Sequence, residues 1–180
     1  ETLRLLAVDA EAPWGSGRVP PAGDLRAERD VLLASADLVV PVSATPSRAR
    51  WVEGDRRPMT LDELASWARL QNARVGLFTA IARPDRLTTA LARAGLPLSA
   101  VISIRDHGPM TQQGRAQLRK STEGDGDEAP VTVWLATAKC VHHLAGIRHE
   151  MPKFARLGVL EADVTLTSVL QERLRMLVKA

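Results

Sequence analysis

Short apolar runs alternate with helix-periodic segments along most of the chain, and no other feature limits its possible folds as tightly. Leu3 to Asp9 reads as a buried strand that ends in an acid, and a Gly/Pro-rich loop, PWGSGRVPPAGDLR, follows it. Leu25 to Ala36 has helical spacing and leads into a second apolar strand, Asp37 to Val42. Residues 44 to 59 carry Arg48, Arg50, Arg56 and Arg57 with Pro46, Gly54 and Pro58, and read as a linker or hinge. Thr60 and Glu63 form a capping box, so a helix starts there and runs to about Asn72. Val75 to Ile81 is strand-like. Pro84 opens a helix that carries Leu87, Leu91 and Ala94 on one face and stops at Gly95. Val101 to Ile104 is the next strand, Thr111 caps a helix to about Lys120, and STEGDGDEAP is an acidic surface loop. Val131 to Thr137 and Val159 to Leu166 read as strands, and Leu166 to Val178 as an amphipathic closing helix. Strands that alternate with helices imply a layered α/β protein with a mainly parallel sheet.

Composition bounds the rest. With 180 residues, 45% apolar and 25% charged, the chain is one good-sized domain, or a small domain plus part of another. Aromatics make up 3% and Tyr is absent, so the core is built from Leu, Val and Ala. A net charge of +3 and a pI near 9.6 suit acidic partners such as phosphates or anionic lipid surfaces. Cys140 is the single cysteine, so no internal disulfide forms and a reducing cytoplasmic setting is expected. No run approaches the roughly 18 apolar residues of a spanning helix. Leu3 to Val8 is too short for a signal peptide, and the missing first Met suggests a fragment.

Ligands of parallel sheets bind beyond the carboxyl ends of the strands. Gly15-Ser16-Gly17-Arg18 can expose backbone N–H groups beside a guanidinium, which suits a phosphate, or can be a solvated turn. No G-x-x-x-x-G-K-S/T loop occurs, so nothing here wraps a triphosphate in the P-loop manner. Asp106-His107 can be an acid that orients a basic imidazole if the chain turns at Gly108-Pro109, or a polar strand end. Cys140, His142, His143 and His149 match no strong zinc pattern, so no metal site is expected. Trp14, Trp51 and Trp67 suit either a membrane interface or core filling.

Taken in order, the motifs resemble those of the tetraacyldisaccharide 4'-kinase (lipid A 4'-kinase) family, over its C-terminal two-thirds. LLAVDAEAPWGSGRVPPAGDLR resembles the family's strand and G-x-G-R-x-x-P-A-G-P-L-R-E loop. VGLFTAIARPDRLTTALARAGL resembles its A-F-A-G-I-G-N-P-E-R-F segment, DHGPMT its D-H-H-P-Y/F-T, and WLATAKCVHHLAG its T-E-K-D segment.

The resemblance implies transfer of the ATP γ-phosphate, with Mg2+, to the 4'-hydroxyl of a lipid A disaccharide precursor. The setting it implies is the cytoplasmic face of the inner membrane, with the glycolipid and an anionic surface as partners and no nucleic acid. Residues 1–45 would end a P-loop-type domain, 46–73 would be a hinge and helix, and 74–180 a smaller α/β domain. His107 would activate the attacking hydroxyl with Asp106 beside it. Gly15, Gly17, Arg18, Gly23, Arg26 and Lys139 would meet sugar or phosphate. The P-loop itself would lie upstream. Ala80, Ala82, Gly108, Ala138 and Cys140 depart from the family's motifs. Two readings follow: a divergent homologue without its ATP-binding half, or a non-catalytic binding module derived from such a kinase.

Overall fold

The computed structural model describes residues 3–10, 12–20, 25–42, 44–81, 84–104, 110–124, 129–150, 155–164 and 167–179. They fall into two compact units, Glu1–Ala44 with Val164–Ala180, and Thr45–Asp163.

In the first unit β1 (Leu5–Asp9) pairs in parallel with β2 (Leu38–Val42), Leu5 opposite Leu38 and Asp9 opposite Val42. Parallel neighbours need a crossover, and the Gly/Pro loop with α1 (Arg29–Ala34) supplies it. Asp37 pins the start of the pair: its carboxylate accepts the Arg4 backbone N–H at 2.9 Å and the guanidinium at 3.0 Å. The Arg4 side-chain hydrogen bond holds that carboxyl below its ordinary 3.8. The closing helix, α6 (Ser168–Lys179), groups with this unit rather than with the smaller domain the resemblance suggests.

The second unit is a six-stranded sheet in the order β4-β3-β8-β7-β5-β6. In chain order its elements are β3 (Ala44–Trp51), β4 (Met59–Thr60), α2 (Leu61–Leu70), β5 (Val75–Thr79), α3 (Pro84–Arg93) and β6 (Leu98–Ser103). Then come α4 (Gln112–Glu123), β7 (Val133–Thr137), α5 (Ala138–Gly146), a 3-10 turn and β8 (Arg156–Val164). β6, β5, β7 and β8 are parallel and β4 runs antiparallel to β3, so the sheet is mainly parallel as expected.

Residues 46–73, expected to link two domains, instead supply β3, β4 and α2 to this unit. The reason is a period-two pattern hidden by charge. Ala49 and Trp51 are buried, while the alternate Arg48 and Arg50 pair with Asp163 and Glu161 of β8. Because 48 meets 163 and 50 meets 161, β3 and β8 run in opposite directions. β8 accordingly begins at Arg156, ahead of the apolar run at Val159.

Helices cover both faces. Leu77 and Leu135 pack under α2 and α3 with Leu64 and Leu91; Phe78 and Trp134, one residue along, pack with Leu118 of α4 and Leu144 of α5. Gly76 makes room for the Trp134 indole: a Cβ there would come within 2.6 Å of its ring. The helix signals operate as the residues dictate. Thr60 Oγ1 accepts the Glu63 N–H at 3.1 Å and the Glu63 carboxylate accepts the Thr60 N–H at 2.7 Å. Gly95 closes α3 with φ +72°, and Thr111 caps α4.

Candidate functional site

Each unit carries one stretch of candidate chemistry. In the first, β1 ends at Asp9, whose carboxylate accepts the Ala12 N–H at 3.2 Å and turns the chain into the glycine loop. Gly15 and Gly17 have φ of +52° and +73°, the left-handed region glycine enters without steric cost. The N–H of Gly15 donates to Ala12 O at 3.1 Å and that of Gly17 to Trp14 O at 2.7 Å. These two amides, expected to face a phosphate, are therefore held in the loop's own turns. What the loop presents outward is the guanidinium of Arg18, with that of Arg26 also exposed. Leu25 N–H donates to Arg18 O at 3.0 Å, and the Arg29 guanidinium lies 4.8 Å from the Trp14 ring centroid. Both contacts brace the loop, the second by a cation–π attraction. Gly23 lies outside the described residues.

In the second unit, the carboxyl ends of the parallel strands place polar groups side by side. Thr79 stands opposite Ser103 of β6, and the β5–β7 register, Phe78 opposite Ala136, brings Thr79 level with Thr137. The hydroxyls of Thr79 and Thr137 are buried and make no hydrogen bond among the described residues. Thr137 leads straight into α5, whose first turn carries the exposed Lys139. An ammonium at a helix start is opposed by the dipole, so Lys139 does not stabilise α5 through it. Cys140, one residue on, is wholly buried, and its sulfur accepts the Ala80 N–H at 3.1 Å. That bond ties the start of α5 to the end of β5.

Asp106 and His107 lie outside the described residues, as does Ala82. The flanks of the first two are described: Ile104 N–H donates to Thr79 O at 2.9 Å, and Met110 is buried against the α4–α5 side of the core. The chain thus leaves β6 beside Thr79. The sequence brings out Lys139, with Thr137 only as part of the same strand-end segment, and does not bring out Thr79. A threonine closing each of two apolar runs, VGLFT and VWLAT, was the available signal.

Known proteins resemble this chain along most of its length. The family model for Tetraacyldisaccharide-1-P 4'-kinase matches residues 1–179. The tetraacyldisaccharide 4'-kinase of Nitrobacter winogradskyi is 29% identical over 178 residues, covering 94% of this chain and 53% of its own length. That of Hyphomonas neptunium is 34% identical over 123 residues, covering 68% of this chain and 36% of its own. Among solved structures, the crystal structure of "apo" form LpxK from Aquifex aeolicus in complex with ATP superposes with a TM-score of 0.55 at 17% identity, covering 98% of this chain and 51% of that one. The latter likeness shows the fold. The chain spans about half the length of the relatives it matches, not the two-thirds suggested by its motifs.

Proposed function

The chain belongs to the tetraacyldisaccharide-1-P 4'-kinase family, and from that membership we propose that it is part of an enzyme that moves the ATP γ-phosphate to the 4'-hydroxyl of a tetraacyldisaccharide 1-phosphate lipid A precursor. The family match over residues 1–179 carries the reading. Phosphoryl transfer asks a protein mainly to position its reactants and neutralise charge. Arg18 and Arg26 in one unit and Lys139 in the other are exposed cations of the type such a reaction uses. His107 takes the proton of the attacking hydroxyl, and Asp106 orients its imidazole. ATP and Mg2+ find no matching loop among these residues: the sequence has no G-x-x-x-x-G-K-S/T, and the Gly15 and Gly17 amides are engaged. We derive no step through them from this chain. The excess of basic residues and the glycolipid substrate favour work at the anionic cytoplasmic face of the inner membrane. No helix among the described residues is long and apolar enough to cross a membrane.

One observation favours a second reading, a non-catalytic binding module derived from such a kinase. Where the resemblance leads one to expect acids at 138 and 140, this chain has Ala138 and a buried thiol. A phosphotransfer assay separates the two. Joined to the sequence that precedes it in its gene, the protein is expected to phosphorylate the disaccharide, and His107→Ala to lower kcat by about 10²–10⁴-fold with disaccharide binding retained. Binding without turnover in the unmutated protein would overturn the kinase reading in favour of the module.

A further inference from the structure

The opposite end of the six-stranded sheet holds a second polar cavity, and it owes nothing to the site above. Arg74 precedes β5, and its backbone is clamped there. Its carbonyl accepts the Thr132 and Val133 N–H groups at 2.9 and 3.1 Å, and its own N–H donates to Thr132 Oγ1 at 3.2 Å. The side chain lines a cavity of about 60 Å³ together with Ser99, Lys120, Ser121 and Val131. Among the described residues its Nε is buried with no hydrogen-bond partner, and its guanidinium forms no ion pair. Withdrawing a charged N–H from water with no acceptor is costly, so native proteins seldom leave one so.

A second feature converges on the same space. The pairing of β5 with β6 slips between Val75, opposite Leu98, and Gly76, opposite Ala100, which leaves Ser99 as the extra residue of a bulge. A bulge re-aims its side chain, and here that residue lines the cavity. Lys120, which has a partner of its own, adds a second positive charge in the last turn of α4. The room is about that of two waters, enough for one small tetrahedral anion and far too little for a nucleotide or a sugar.

We propose that Arg74, Ser99, Lys120 and Ser121 hold a phosphate-class oxyanion, either free or as the headgroup of an anionic lipid. An oxyanion with two free acceptor oxygens would satisfy the orphaned Arg74 Nε and the bulge hydroxyl together. The five residues of β5 separate this cavity from Thr79 by about 15 Å along the strand, so the anion plays no part in phosphoryl transfer. The competing occupant is a carboxylate of the chain itself, since Asp125, Asp127 and Glu128 fall between Gly124 and Ala129.

Calorimetric titration of the whole chain with inorganic phosphate at low ionic strength tests the proposal. Saturable binding is expected, weakened about tenfold or more by Arg74→Gln, less by Ser99→Ala, and not at all by Arg93→Gln on the exposed end of α3. Ser99→Ala guards against an Arg74 variant that fails to fold, because a surface hydroxyl is removed without touching the core. Flotation with phosphatidylglycerol vesicles assigns the source: loss of flotation in Arg74→Gln points to a lipid headgroup, unchanged flotation to free phosphate. Absence of saturable phosphate binding together with vesicle flotation that ignores Arg74, or phosphate affinity equal in the wild type and both cavity variants, would overturn it.

Discussion

In the large sheet β5 and β7 lie side by side between the longer strands β6 and β8; β3 and β8 lie side by side nearer the border that only the two-residue β4 closes. Every residue of β5 is buried, and neither central strand carries a charge. In the border pair Leu157 to Leu160 of β8 are buried, but where β3 meets the second half of β8 one face is laced with Arg48–Asp163 and Arg50–Glu161, whose side chains remain roughly one-third to three-fifths exposed. Both pairs make backbone ladders, so the difference lies in what the side chains contribute. Burial on two faces stabilises the centre. Exposed ion pairs fix register and direction at the border while adding little free energy.

Substitution should separate the two regimes. The largest effect is expected from Trp134→Ala, which empties a fully buried indole site and removes the indole N–H that the Thr122 hydroxyl accepts at 2.9 Å. A loss of about 3–5 kcal/mol by urea unfolding is expected; a loss below about 1 kcal/mol would deny that the centre carries the fold. Gly76→Ala comes next. Its new methyl would meet a rigid, enclosed ring at 2.6 Å, and about 1–3 kcal/mol should go as the indole shifts. At the border, a double-mutant cycle on Arg50→Ala and Glu161→Ala should return a coupling of about 0.2–1 kcal/mol that shrinks in high salt.

The smallest effect is one of pH. The Thr60 backbone N–H lowers the Glu63 carboxyl from its ordinary 4.5. Its contribution is therefore complete above that value and fades as pH falls through the lowered folded-state value. The difference in urea midpoint between the wild type and Glu63→Ala should be constant from pH 7 to about 5.5 and narrow in more acidic solution.

The same contrast explains what could be read from the sequence. β5, β7 and the caps at Thr60, Pro84, Gly95 and Thr111 are set by residues within a few positions of one another, and local pattern reveals them. β3 was taken for a linker because its arginines find their acids 115 and 111 residues later, and no local window contains both partners. The candidate site divides likewise. Lys139 could be named because it stands in the segment that resembles T-E-K-D. That Thr79 and Thr137 stand level could not be read, because it depends on the register of strands more than fifty residues apart in the chain. The glycine loop was half legible: Gly15 and Gly17 do turn the chain, but composition does not tell whether an N–H serves the loop or a ligand. Asp106, His107 and Gly23 lie outside the described residues.

We propose that the substrate-facing chemistry of the larger unit lies at the carboxyl ends of β5, β6 and β7. Titrating isotope-labelled chain with tetraacyldisaccharide 1-phosphate in detergent, and mapping the perturbed amide resonances, tests this most directly. The account predicts shifts clustered at Thr79–Ala80, Ser103–Ile104 and Thr137–Lys139. Shifts confined to Arg74, Ser99 and the amino ends of the strands, or to the charged face of β3 and β8, would contradict it.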